Sequence, residues 1–307
     1  MTTTAFTSLF CAAVATLAVS SSGASTQPEI LFETTTPYHH IQVIDRNGMR
    51  TLHFDNSSQS RISLEDPLQG QFEYTEYFHM PWLWNPKIKT VLLMGLGGSS
   101  IQRAYQAYYP EVETLTVELD PKVVEIARDY FGFKETEKMK VVIGDGRQHL
   151  RRTRKTYDLI ILDAYTANRY GSYIPYSLTS REFFALARDH LNDQGILAYN
   201  VIGSVRGRTK NIVGAIYKTL KTSFSHVYLF PAIGSTNVVL IATTYEKKVT
   251  LPQLRARIWE LTAQQETSFP RYETRLKRYR YRAPSSAARS NILTDDFAPV
   301  DGLLEVE

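Results

Sequence analysis

From Thr90 to Ala242 the chain alternates between short apolar runs and longer stretches whose apolar residues recur at helical spacing. The apolar runs are Thr90–Met94, Thr114–Glu118, Lys140–Ile143, Tyr157–Leu162 and Ile196–Ile202. Runs of this kind, with little polar alternation, predict strands buried on both faces. Helices are predicted over Ser99–Tyr109, from Pro121 to about Phe131 with Asp120 as N-cap, over Ser180–Leu191 and over Asn211–Thr222. His226–Phe230 and Val238–Ala242 read as a closing antiparallel pair, and Leu251–Gln265 as one more helix. Repeated strand–helix units imply an α/β, Rossmann-like fold: a mostly parallel sheet with helices on both faces.

Before Thr90 the pattern is different. Ile30–Glu33, Ile41–Ile44 and Arg50–Phe54 alternate as half-buried strands do, and Asp45-Arg46-Asn47-Gly48 supplies a hairpin turn. Gln71–Trp84 reads as an aromatic-rich helix that Asn85-Pro86 breaks. The organisation expected is a leader over 1–25, a small β-hairpin domain over 26–70, the Rossmann-like domain over 71–250, and a C-terminal helix and tail over 251–307. In the leader, the apolar stretch Phe6–Val19 and the small residues up to Ser25 fit an export signal cut after Ala24, although no Lys or Arg precedes the apolar stretch. A cleaved leader implies a periplasmic or secreted protein, and an uncleaved one a cytoplasmic protein. No span is expected in the mature chain.

Composition narrows the chemistry. Among 307 residues the net charge is +4, and Cys11 is the single cysteine. A disulfide framework and a cysteine metal site are therefore excluded, and the histidines lack zinc-ligand spacing. No metal site is expected. The basic runs Arg147–Lys155 and Arg271–Arg282 come with no groove-reading motif, so no nucleic-acid partner is expected.

Candidate chemistry sits at the strand ends. Gly95-Leu96-Gly97-Gly98 follows the first strand of the repeat, where glycines let the backbone turn tightly beside a ligand. Glu118 ends the second strand, placed to accept ribose hydroxyls, while Asp120 is the helix cap. Asp145, within Gly144-Asp145-Gly146, follows the third strand and is placed to accept an adenine amino group. Asp163 ends the fourth, at the carboxyl edge where open α/β sheets hold ligands. The third glycine of a dinucleotide fingerprint is missing, and the extra acids suit a cationic ligand with an amino group. An adenosyl sulfonium fits better than a nicotinamide.

These residues resemble the spermidine synthase-like, polyamine aminopropyltransferase family within the class I methyltransferase superfamily. The carriers are Gln59 on the hairpin, Phe72-Glu73-Tyr74-Thr75-Glu76, and the segments VLLMGLGGSS, VELDPKVVEIAR, GDGRQHL, YDLIILDAY and LTSREFF. The resemblance implies transfer of an aminopropyl group from decarboxylated S-adenosylmethionine to a small polyamine acceptor, with no permanently bound cofactor. It implies donor binding by Gln59, Gly95, Gly97, Gly98, Glu118, Asp145 and Gly146. It implies catalysis by Asp163, which deprotonates or orients the amine, assisted by Tyr74. Family members often dimerise, which leaves a homodimer open.

The acceptor half departs from the family pattern. Thr166 replaces a second acid after Asp163, Thr75 replaces a His or Gln, and Ile233 replaces a late tyrosine. Each lost charge-assisted contact costs about 1.5–3 kcal/mol, enough to lower diamine affinity by one to two orders of magnitude. Two further readings therefore stay open here: a methyltransferase using S-adenosylmethionine itself, and a non-catalytic exported paralogue.

Overall fold

The computed structural model describes residues 27–68, 71–168, 171–206, 211–263, 271–300 and 303. The apolar leader and Cys11 lie outside the described residues.

Four strands, β1 (Glu29–Thr35), β2 (His40–Arg46), β3 (Met49–Phe54) and β4 (Ser57–Ser63), form an antiparallel sheet in sequential order. Asn47 and Gly48 join β2 to β3 with φ values of 52° and 72°. Positive φ at both positions makes the two-residue turn whose twist matches a hairpin. The strand β4 is absent from the sequence expectation because SSQSRIS is too polar to register as one. An 11-residue 3-10 helix, Glu73–Leu83, follows where an α-helix is expected. Pro81 interrupts the α pattern, and the helix's large aromatic side chains are buried rather than arranged on one face.

The second unit is a seven-stranded sheet. Its strands are β5 (Thr90–Met94), β6 (Glu113–Glu118), β7 (Met139–Ile143), β8 (Tyr157–Leu162), β11 (Leu191–Ile202), β12 (His226–Pro231) and β13 (Asn237–Thr243), in the order β12-β13-β11-β8-β5-β6-β7. A short hairpin, β9 (Thr166–Asn168) and β10 (Gly171–Tyr173), follows β8. Central strands pair in parallel, while β13 is antiparallel to β11 and β12. The apolar runs are explained by period-two packing. Val91, Leu93, Leu159 and Ile161 enter the core on one face, and Leu92, Met94, Ile160 and Leu162 the core on the other.

Helices α1 (Ser100–Tyr108) and α2 (Pro121–Phe131) cover the first face with the 3-10 helix, and α3 (Gly146–Arg152), α4 (Arg181–Asp189) and α5 (Ile212–Leu220) the second. Asp120 caps α2 through the Lys122 N–H, as its position before Pro121 predicts. The strand β11 starts earlier than expected. Its ladder with β8 shifts between Leu191 and Ile196, where Gln194 has a φ of 61°, so Asn192–Gly195 is a bulged entry rather than a helix end. Helix α6 (Leu251–Thr262) stops short of its expected end, and a second C-terminal helix, α7 (Tyr272–Leu276), docks on the 3-10 helix.

Three contacts seat the small sheet on the large one. Thr36 Oγ1 donates to Asp120 Oδ2 at 2.6 Å, Arg50 Nη1 to the Tyr130 carbonyl at 2.7 Å, and the Gly98 N–H to Ser60 Oγ at 2.8 Å.

Candidate active site

Sheet register alone brings the predicted residues to one level. Met94 pairs with Val117 on β6 and with Leu162 on β8, so Gly95, Glu118 and Asp163 emerge side by side. Glu118 pairs with Ile143, which brings Asp145 to the same edge, and Tyr199 pairs with Leu162, which puts Asn200 beside Asp163. This is the carboxyl end of the parallel strands, where the sheet order turns from β5 outward in both directions.

A cavity opens there. Its walls include Gln59, Tyr74, Gly95, Gly97, Glu118, Asp145, Gly146 and Asp163. Gly98 is not among them. Its N–H holds Ser60, and a Cβ on it would meet Ser60 and Phe131 at under 3 Å, so this glycine serves the seam between the sheets rather than the cavity surface. Gly95 has a φ of 102°, and a Cβ there would lie 2.4 Å from the Asp163 carbonyl oxygen. Only glycine permits β5 and β8 to approach this closely at their tips.

Each acid is held differently. Glu118 accepts from the Leu96 N–H at 2.8 Å and the Asp120 N–H at 3.0 Å, one bond to each oxygen. Burial pushes its pKa up, against the pull of these backbone bonds. A carboxylate offers about four acceptor directions, so acceptor capacity remains for neighbouring hydroxyls. Asp145 caps α3 by accepting from the Gln148 N–H at 2.8 Å while lining the cavity. The turn role and the binding position coexist in one side chain.

Asp163 accepts from Asn200 Nδ2 at 2.9 Å and from the Tyr74 hydroxyl at 3.4 Å. Burial raises its pKa to about 6, more than those two bonds lower it. Tyr74 is raised well above its ordinary value by burial and by the adjacent carboxylate, so it stays a phenol and a donor at neutral pH. Asn200 is oriented in turn: its Oδ1 accepts from Asn237 Nδ2 at 3.0 Å, and its carbonyl accepts from the Tyr165 hydroxyl at 2.6 Å. A carboxylate poised near neutrality, with a fixed amide on one oxygen and a phenol on the other, is built to exchange a proton.

Sequence reasoning misses Asn200, Ser60 and His39. Asn200 carries a signal, being the one amide within the apolar run of β11. His39 has none. It is buried and stacked on Phe54 at 4.2 Å, its Nδ1 has no partner among the described residues, and burial lowers its pKa. It lines the cavity as a neutral ring beside Glu118 and Asp120. Thr166 also lines the cavity, whereas Ile233 is exposed, its N–H bonded to Glu73.

Residues 71–250 match the family model of the spermine/spermidine synthase domain. The chain belongs to the spermine/spermidine synthase family. A polyamine aminopropyltransferase of Vibrio vulnificus is 31% identical to it over 229 residues, covering 71% of this chain and 73% of the relative. A probable spermidine synthase of Corynebacterium glutamicum superposes with a TM-score of 0.64 at 17% identity, over 91% of this chain and 99% of that one. A spermidine synthase in complex with the transition-state analogue AdoDATO superposes with a TM-score of 0.60 at 18% identity, over 90% and 88%. At such identities the two structures speak for the fold: the seven-stranded sheet and its helices are those of spermidine synthase-like proteins.

Proposed function

We propose that this chain is a polyamine aminopropyltransferase-type enzyme that moves an aminopropyl group from decarboxylated S-adenosylmethionine to an amine. The observation that carries this reading is Asp163, at the tip of β8, clamped by Asn200 and Tyr74 and holding a pKa of about 6 in the cavity that Gly95, Glu118 and Asp145 also line.

The donor enters as a co-substrate, and its sulfonium is already a good leaving group. Glu118 takes the ribose hydroxyls and Asp145 the adenine amino group, so the donor's propyl carbon is directed toward Asp163. An ammonium has no lone pair to attack with. Ionised Asp163 therefore takes a proton from the acceptor ammonium and frees the lone pair for attack, while Tyr74 donates to the carboxylate and orients it. The nitrogen lone pair forms the C–N bond. The C–S bond breaks, its electron pair passes to sulfur, and neutral methylthioadenosine leaves. Positioning of the two reactants supplies much of the acceleration.

The test is product analysis of the purified chain with decarboxylated donor and an amine panel. Methylthioadenosine and an aminopropylated amine are expected in equal amounts. S-adenosylhomocysteine formed from S-adenosylmethionine would instead reveal methyl transfer on the same fold.

A further inference from the structure

Beside the cleft lies a second, smaller lobe. Asp163 and Tyr74 line both spaces, so the proton-accepting pair stands at their junction. If the nucleotide occupies the larger space, the lobe is where the acceptor's remainder lies. Arg61 of β4, Phe72, Thr75 and Ser100 also line it. Asp163 is the lobe's acid, and Arg61 its base, among the described lining residues.

Arg61 is fixed in place. Its guanidinium sits over the Phe72 ring, 5.6 Å from the centroid, and Nε donates to Thr51 Oγ1 at 3.3 Å. No carboxylate pairs with it among the described residues, whereas Arg50, Arg147 and Arg275 each hold one; Arg103 and Arg278, also without a carboxylate, each donate to a backbone carbonyl instead. A diamine bound by one nitrogen at Asp163 would point its second ammonium at this cation. A molecule with an amine at one end and a carboxylate at the other would satisfy both. The planar guanidinium suits a carboxylate in particular.

We propose that the acceptor is an amino carboxylate, its amine at Asp163 and Tyr74 and its carboxylate on Arg61, rather than a diamine. The proposal rests on the aminopropyltransferase reading and refines its substrate class. The bonds made and broken are unchanged. The carboxylate binds and takes no part in the displacement.

The experiment measures methylthioadenosine release from decarboxylated S-adenosylmethionine with 4-aminobutyrate, 5-aminopentanoate and ornithine against putrescine and cadaverine. The expected result is a higher kcat/KM for the amino carboxylates. Arg61→Gln should raise their KM roughly 10- to 100-fold, the loss of a charge-assisted pair, and should narrow or reverse the preference over putrescine. Arg61→Lys should restore part of it. Methylthioadenosine affinity, measured on each variant, checks that the fold and the nucleotide half survive. A wild-type preference for diamines, indifferent to Arg61, would overturn the assignment. So would S-adenosylmethionine binding at least tenfold tighter than its decarboxylated form in an Arg61-dependent way, because the carboxylate would then be the donor's. Absence of both methylthioadenosine binding and release with every acceptor would remove the parent reading, and this assignment with it.

Discussion

Asp163 does its work through its surroundings. With its pKa raised to about 6 by burial, it is largely ionised at pH 7 and protonated at pH 5. Turnover should therefore fall as pH drops through about 6, read from kcat/KM between pH 5 and 8. Asp163→Asn should lower kcat by about 10²–10⁴-fold, the range for removing a general base. The same shift has a stability consequence. A carboxyl whose pKa is raised on folding binds its proton more tightly in the native state, so stability falls as pH climbs from about 4 to about 6. The Asn variant escapes that cost. It should be more stable than wild type by roughly 1–3 kcal/mol at pH 8, with the gap closing by pH 4 in denaturant titrations. Asn200 is a positioning residue. Asn200→Leu removes the donor to Asp163 Oδ1, and the pH midpoint of kcat/KM should move upward while methylthioadenosine affinity changes little. Asp163, Glu118 and Asp145 are legible in sequence because acids directly after buried strands stand out. Asn200 carries a weaker signal, because an amide inside a strand reads as a tolerated polar residue until the register places it beside an acid.

Two elements hold the cavity walls from outside. The 3-10 helix that carries Tyr74 also carries Glu76, which is 1% exposed and meets Arg271 and Arg275 near and in α7. Burial alone would raise Glu76, but the hydrogen bonds from the two guanidiniums outweigh it and hold the carboxyl below its usual range. Arg275→Met should cost about 3 kcal/mol at pH 7, the low end for breaking a buried pair because Arg271 still faces Glu76. That loss should shrink as pH falls below about 4.5, where the carboxylate's contribution disappears in wild type as well. Thermal denaturation of both proteins at pH 4 and pH 7 measures it. On the adenine side, Arg147 holds Asp295 through two bonds of 2.7 and 2.6 Å and the Ser177 carbonyl through a third at 3.2 Å. Ser177 and Leu178 line the cavity. Asp295→Asn should loosen that wall and raise the donor's KM more than it lowers kcat, in steady-state kinetics at saturating amine. The tail's role and α7 escape the sequence because both act through partners more than a hundred residues away, and the 3-10 helix escapes because its aromatic residues mimic an α-helical stripe. The strand–helix repeat is plain by contrast, since burial on two faces leaves continuous apolar runs.

At the scale of the molecule, the seven-stranded sheet levels its strand tips and the small N-terminal sheet closes over them. Ser60 anchors the glycine turn, Thr36 anchors Asp120, and β4 supplies Gln59 and Arg61 to the cavity walls. The site is therefore shared between two units that are separate in sequence. This explains why the nucleotide half, built from consecutive βα units, is readable in the chain, whereas the part that Arg61 of the small sheet contributes is not. The most direct test of the whole arrangement is calorimetric titration of the full chain with methylthioadenosine. One site per chain is expected, with affinity reduced at least about tenfold by Glu118→Gln, as loss of a charge-assisted bond requires, and nearly retained by Asp163→Asn. No binding, or binding indifferent to Glu118, would contradict the placement of an adenosyl thioether across these strand tips.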